Sequence, residues 1–171
     1  ENANSILVSV LEDKSQEPMV RHEAAEALGA IGSLRNISVL EKYKEDPVIE
    51  VAETCELALD RIKWSQQPND TKRTSENPYK SVDPAPPHES IIVEDLKAIL
   101  LDEKMPLFQR YRAMFALRNL GTEEALEALG QGLKCGSALF KHEIAFVLGQ
   151  IQSERSVQVL KESLEDSLEN E

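Results

Sequence analysis

Apolar residues return every three or four positions over most of the chain. Val20, Ala24, Ala27, Leu28 and Ile31 make one such series, and Phe140, Ile144, Val147, Leu148 and Ile151 make another. At 3.6 residues per turn each series shares one face, so both runs predict amphipathic helices. The same period predicts a helix over 3–12, the second of a pair whose first member is lacking. Pro18 suits a first helical turn, where a missing N–H is harmless, and opens a helix to about residue 31. Gly32 and Ser33 break it before a helix near 35–44, and Pro47 opens another that ends near Trp64, expected to be a packing residue. Further on, helices are expected over 91–101, 106–119, 123–134 with Thr122 as N-cap, 137–151 and 155–164. No strand-like alternation competes.

Helix pairs spaced by about 29 to 31 residues cannot bury their stripes singly and must stack. The expected fold is therefore all-α, an α-solenoid of short HEAT-like helical-hairpin repeats in two halves. Between the halves the composition changes abruptly. Residues 65–90 are rich in Ser, Gln, Asn, Asp, Thr and Lys and hold Pro68, Pro78, Pro84, Pro86 and Pro87. Such a stretch lacks the apolar surface to order itself and reads as a flexible Pro-rich linker. The expected organisation is 1–64 as the end of a first half, 65–90 as linker and 91–171 as the start of a second half.

Composition narrows the functional classes. The 171 residues carry 31 acidic and 19 basic side chains, a formal charge of -12. That argues against a nucleic-acid surface and favours a basic partner or polyamine-like substrate, although acidity alone also serves solubility. Cys55 and Cys135 have neither CxxC spacing nor disulfide density and point to a reducing, cytoplasmic compartment. With no signal-peptide pattern and no apolar run approaching 18 residues, neither secretion nor a membrane span is expected.

The two helices with which the pattern opened share more than their stripes. Arg21-His22-Glu23 is followed by Leu28-Gly29, and 120 residues later Lys141-His142-Glu143 is followed by Leu148-Gly149. On the helical wheel both histidines fall roughly opposite the apolar stripe, and Glu23 and Glu143 fall about 100° from them, toward its edge. Sibling helices align on the same frame with Val51 and Ala52, and with Tyr111 and Arg112, at these positions. A repeat of this kind therefore packs without the pair, and His-Glu is an addition to the scaffold. Neighbouring imidazole and carboxylate groups suit iron, manganese or zinc, and two pairs offer four ligands. Acid–base catalysis without metal remains open, since the same groups serve it. So do a HEAT-type interaction scaffold and a chromophore lyase of HEAT-like outline. No nucleophile with a recurring base, phosphate loop or zinc cysteine cluster is present. A third pair, His88-Glu89, follows Pro86-Pro87 outside the helical repeats and reads as a helix start.

Several stretches carry a resemblance beyond the repeat itself. They are Met19-Val20-Arg21-His22-Glu23 with the run 26–32, the run 46–55, Pro78-Tyr79 with the run 81–87, the run 110–119, and the run from Cys135 to Glu143. Together they resemble the deoxyhypusine hydroxylase family over nearly the whole chain. The resemblance implies a di-iron monooxygenase that uses molecular oxygen to hydroxylate the deoxyhypusine side chain of a basic translation factor, the last step of hypusine formation. It implies iron held by His22, Glu23, His142 and Glu143, with acidic surroundings receiving the substrate. The family has four His-Glu helices, whereas two stand here, and the tail 164–171 resembles the lead-in 11–17 of the first pair. The resemblance thus implies a central stretch of a longer protein, which alone is expected to hold iron weakly or not at all and to be inactive.

Overall fold

The computed structural model describes residues 2–68 and 77–166. Part of the expected linker, 69–76, and the tail from 167 lie outside the described residues. Among those described, all regular structure is helical. The chain forms two compact units, Glu1–Lys72 with Val82–Ala85 and Arg73–Ser81 with Pro86–Glu171.

In the first unit α1 (Asn2–Glu12), α2 (Pro18–Ile31), α3 (Ile37–Tyr43) and α4 (Ile49–Ser65) follow one another, a 3-10 turn at Leu34–Asn36 leading into α3. Pro18 opens α2 as expected. Gly32 closes it in the left-handed region, φ 70°, its N–H donating to the Leu28 carbonyl, where a side chain would be strained. Pro47 stands two residues before α4 instead of inside it, because the Asp46 carboxylate accepts from the Val48 N–H and holds 46–48 out of the helix. The core is formed by Leu11, Ala25, Leu28, Leu40, Val51, Cys55 and Ile62, all fully buried.

Helix α2 lies against both α1 and α4. Its buried arc is Arg21, His22, Ala24, Ala25, Leu28 and Gly29, while Val20 and Ile31, expected in the stripe, are exposed. The arc is rotated from the apolar stripe by roughly a quarter of a turn. Small residues draw α4 in on that side: a Cβ on Gly29 would stand 2.7 Å from the Ala58 Cβ and 2.8 Å from its Cα. Gly29→Ala is therefore expected to lower stability by about 1–3 kcal/mol. The aligned Gly149 has no heavy atom within 4 Å of such a Cβ, so Gly149→Ala should raise stability by about 0.5–1 kcal/mol through its helix propensity. Urea unfolding of the two variants reads these opposite signs.

The second unit contains α5 (Val93–Leu101), α6 (Leu107–Leu120), α7 (Glu123–Gly132), α8 (Ala138–Ile151) and, after a 3-10 turn at Glu154–Ser156, α9 (Val157–Glu165). The hydroxyls of Thr122 and Ser137 accept from the N–H groups of Ala125 and Phe140 and so cap α7 and α8. Helix α6 is covered on all sides, every residue from Arg110 to Arg118 being buried. One device recurs between units: Arg21 Nε donates to the Leu11 carbonyl and Arg110 Nε to the Leu100 carbonyl, each at 2.9 Å. Each arginine thereby clamps its helix to the preceding one.

The described part of the Pro-rich segment is fastened by side chains of the helices. Arg118, fully buried, lies over the rings of Tyr79 and Phe115 and donates to Asn77 and Ser81. Arg112 donates to the carbonyls of Pro86 and Pro87, and Arg61 of the first unit donates to the Asp83 carbonyl. Carbonyls of a segment without secondary structure are satisfied in this way by guanidinium forks.

Candidate metal site

The rotation of α2 changes the setting of its His-Glu pair. His22, expected on the solvent side, is buried, whereas Glu23 is exposed. Packing of α4 against α2 brings Thr54 to the imidazole, its Oγ1 2.6 Å from His22 Nδ1. The other ring nitrogen, Nε2, faces outward to two carboxylates, Glu23 Oε1 at 3.8 Å and Glu26 Oε2 at 3.9 Å. Donor atoms of His22, Glu23 and Glu26 all lie within 4.8 Å of one another. Both distances from Nε2 are below twice the ~2.0–2.2 Å length of a bond from a first-row cation to nitrogen or oxygen, so one cation has room to touch the imidazole and either carboxylate. Burial raises the pKa of the Glu26 carboxyl, and the neighbouring Glu23 charge raises it further, with Arg61 opposing. The mixed N and O donor set fits iron, manganese or zinc.

In α8 the partition is reversed. His142 is exposed and Glu143 is buried, along with Phe140, Ile144, Val147 and Leu148 of the expected stripe. Here the apolar stripe does match the buried arc, which α8 packs chiefly on α6 and α7. The sibling helix α6 shows what the same two positions do without a ligand set. Tyr111, aligned with His22, packs edge-on against Phe140 at 5.6 Å, and Arg112, aligned with Glu23, anchors the Pro86-Pro87 carbonyls. Both are structural uses.

Other candidates fall away on geometry. His88 Nδ1 accepts from the Ser90 N–H, its backbone N–H donates to the Arg112 carbonyl, and Glu89 pairs with Arg112 at 3.0 Å. That third pair braces α6 ahead of α5. The Cys55 thiol is pushed by burial to about 12 and supplies no thiolate near neutral pH. Two residues of the α2 corner escaped the sequence reading. Glu26 aligns with Phe146 and so has no echo in the second copy, and Thr54 sits on a different repeat, 32 residues from His22.

The pattern of HEAT repeats matches residues 1–60 and 93–171, and the chain belongs to the HEAT-repeat proteins. Within that class it is similar to the deoxyhypusine hydroxylase of Danio rerio, 60% identical over 99% of this chain and 56% of the relative. It is 58% identical to that of Homo sapiens, over 96% of this chain and 54% of the relative. The solved structure of human deoxyhypusine hydroxylase in complex with glycerol superposes with a TM-score of 0.92 at 57% identity, covering 99% of this chain and 58% of that one. The chain thus spans about half the length of the curated relatives it matches. The family resemblance read from the sequence and the expected solenoid of helical hairpins are both borne out.

Proposed function

We propose that the chain is part of a deoxyhypusine hydroxylase, an iron- and oxygen-dependent monooxygenase, and that it contributes two of the four His-Glu pairs the resemblance implies. The observation that carries this reading is the corner on α2, where a buried imidazole turns one nitrogen toward two carboxylates, and where α6 has Tyr111, Arg112 and Phe115 at the aligned positions. In this reading His22 and Glu23 of the first unit and His142 and Glu143 of the second are iron ligands, with Glu26 a further carboxylate beside the first pair. Bound iron supplies the activation of molecular oxygen. The residues of this chain supply donor atoms, and the formal charge of -12 favours the approach of a basic protein whose deoxyhypusine side chain carries amines. The reading places the protein in the cytoplasm. Among the described residues no helix is long and apolar enough to cross a membrane, and both cysteines are free.

The test compares the 171-residue chain with a protein extended to the length of the relatives so that all four pairs are present. Each is loaded with Fe(II) under nitrogen, desalted, assayed for iron, and then given air and a basic protein bearing deoxyhypusine. The extended protein is expected to retain about two irons and to convert deoxyhypusine to hypusine, while the shorter chain retains little iron and does not turn over. An extended protein that folds yet neither holds iron nor hydroxylates would overturn the reading.

A further inference from the structure

We infer that Thr54 is a positioning residue that fixes His22 as its Nδ1–H tautomer and aims the bare Nε2 at Glu23 and Glu26; only its consequence for metal binding rests on the reading above. A threonine hydroxyl has one proton to give. Thr54 Oγ1 gives it to the Glu50 carbonyl, one turn back in α4, at 2.7 Å. Toward His22 Nδ1, at 2.6 Å, the same oxygen can then act only as acceptor, so the ring proton sits on Nδ1. A neutral imidazole has a single N–H, and Nε2 is left with its lone pair. The opposite tautomer would set an unprotonated Nδ1 at hydrogen-bond distance from an oxygen whose proton is already committed. Residues His22 and Thr54 are each 3% exposed, so solvent does not relieve that mismatch.

The repeat gives independent support. On the frame that aligns His22 with Val51, Tyr111 and His142, Thr54 aligns with Ala25, Met114 and Ala145. Among these four helices, the hydroxyl stands on the one that packs its position against a histidine. An outer partner that holds a ligand's ring nitrogen sets its orientation and its basicity toward a metal.

Two measurements on the chain test this. With 15N-labelled histidine at a pH where His22 is neutral, its ring shifts report the tautomer, the signal being assigned by its loss in His22→Asn. Wild type and Thr54→Ser are expected to carry the proton on Nδ1. Thr54→Val, equal in volume but with no acceptor, is expected to lose that preference. Co(II) titrated into each protein broadens the His22 signals, and the midpoint for Thr54→Val is expected to rise about 10- to 100-fold while Thr54→Ser stays near wild type. A wild-type His22 protonated on Nε2, or a Thr54→Val variant with unchanged tautomer, overturns the inference. If Co(II) fails to broaden His22 in wild type at all, the expected effect of Thr54 on metal binding by this chain is overturned, and the tautomer measurement still decides whether Thr54 positions the ring.

Discussion

Replacing Asp46 by alanine is expected to lower the stability of the first unit by about 3–5 kcal/mol, the range for stripping one partner from a buried ion pair. Its carboxylate meets the Arg21 guanidinium as a fork, Nη2 at 2.6 Å from Oδ2 and Nη1 at 3.3 Å from Oδ1, with the two side chains 4% and 2% exposed. Arg21 is also committed to the Leu11 carbonyl and lies 5.5 Å from the Tyr43 ring centroid, so it has no path to solvent once its partner is gone. The same carboxylate holds the turn that starts α4. Asp46→Asn keeps the bond to the Val48 N–H and should fall between wild type and Asp46→Ala. The hydrogen bond from Arg21 holds the Asp46 carboxyl below the usual carboxylate range. A folded-state pKa below the unfolded value means that the pair's stabilisation is full above about pH 3.9 and is lost as pH falls through the folded pKa. Urea midpoints of wild type and Asp46→Ala at neutral pH and in acid check both statements, since the gap between them should close in acid.

Helix positions were legible in the chain because the 3.6-residue period and its punctuation are local. Pro18, Gly32 and Thr122 act within one turn of the backbone they start or stop, and the structure uses them as the pattern indicates. Which arc of a helix is buried is not local. The stripe of Val20, Ala24, Ala27, Leu28 and Ile31 marks where apolar surface is richest, but α2 is packed by both α1 and α4, and Ala58 of α4 comes in close at Gly29. Small side chains allow close approach while adding little to an apolar pattern, and Arg21 and His22 enter the interior because Leu11, Asp46 and Thr54 satisfy them. In α8, packed chiefly on α6 and α7, the pattern and the burial agree. The candidate ligands His22, Glu23, His142 and Glu143 were legible as a recurrence, and of these the structure sets His22 and Glu23 in the α2 corner. The recurrence missed Glu26 and Thr54, whose aligned positions hold Phe146 and Ala145. The ordering of residues 77–88 was hidden for a similar reason, since Arg112 and Arg118 act on it from some 25 to 41 residues away.

His22→Ala and His142→Ala, made in a protein carrying all four pairs, are expected to lower iron affinity by more than the ~10- to 100-fold that follows loss of an outer-shell partner, and to abolish hydroxylation. Their effects on stability should differ. His142 is exposed on α8, so its removal should stay within about 0.5 kcal/mol of wild type. His22 fills space between α2 and α4 and partners Thr54, so His22→Ala should lower stability by about 1–3 kcal/mol through a lost hydrogen bond inside the fold. A reading based on the apolar stripe alone makes both histidines outward and both substitutions mild. Iron per folded protein, determined alongside urea midpoints, separates a lost ligand from a lost fold. Normal iron and full activity in a folded His142→Ala protein would remove His142 from the ligand set, whereas His22→Ala with wild-type stability would contradict the packing of its imidazole on Thr54.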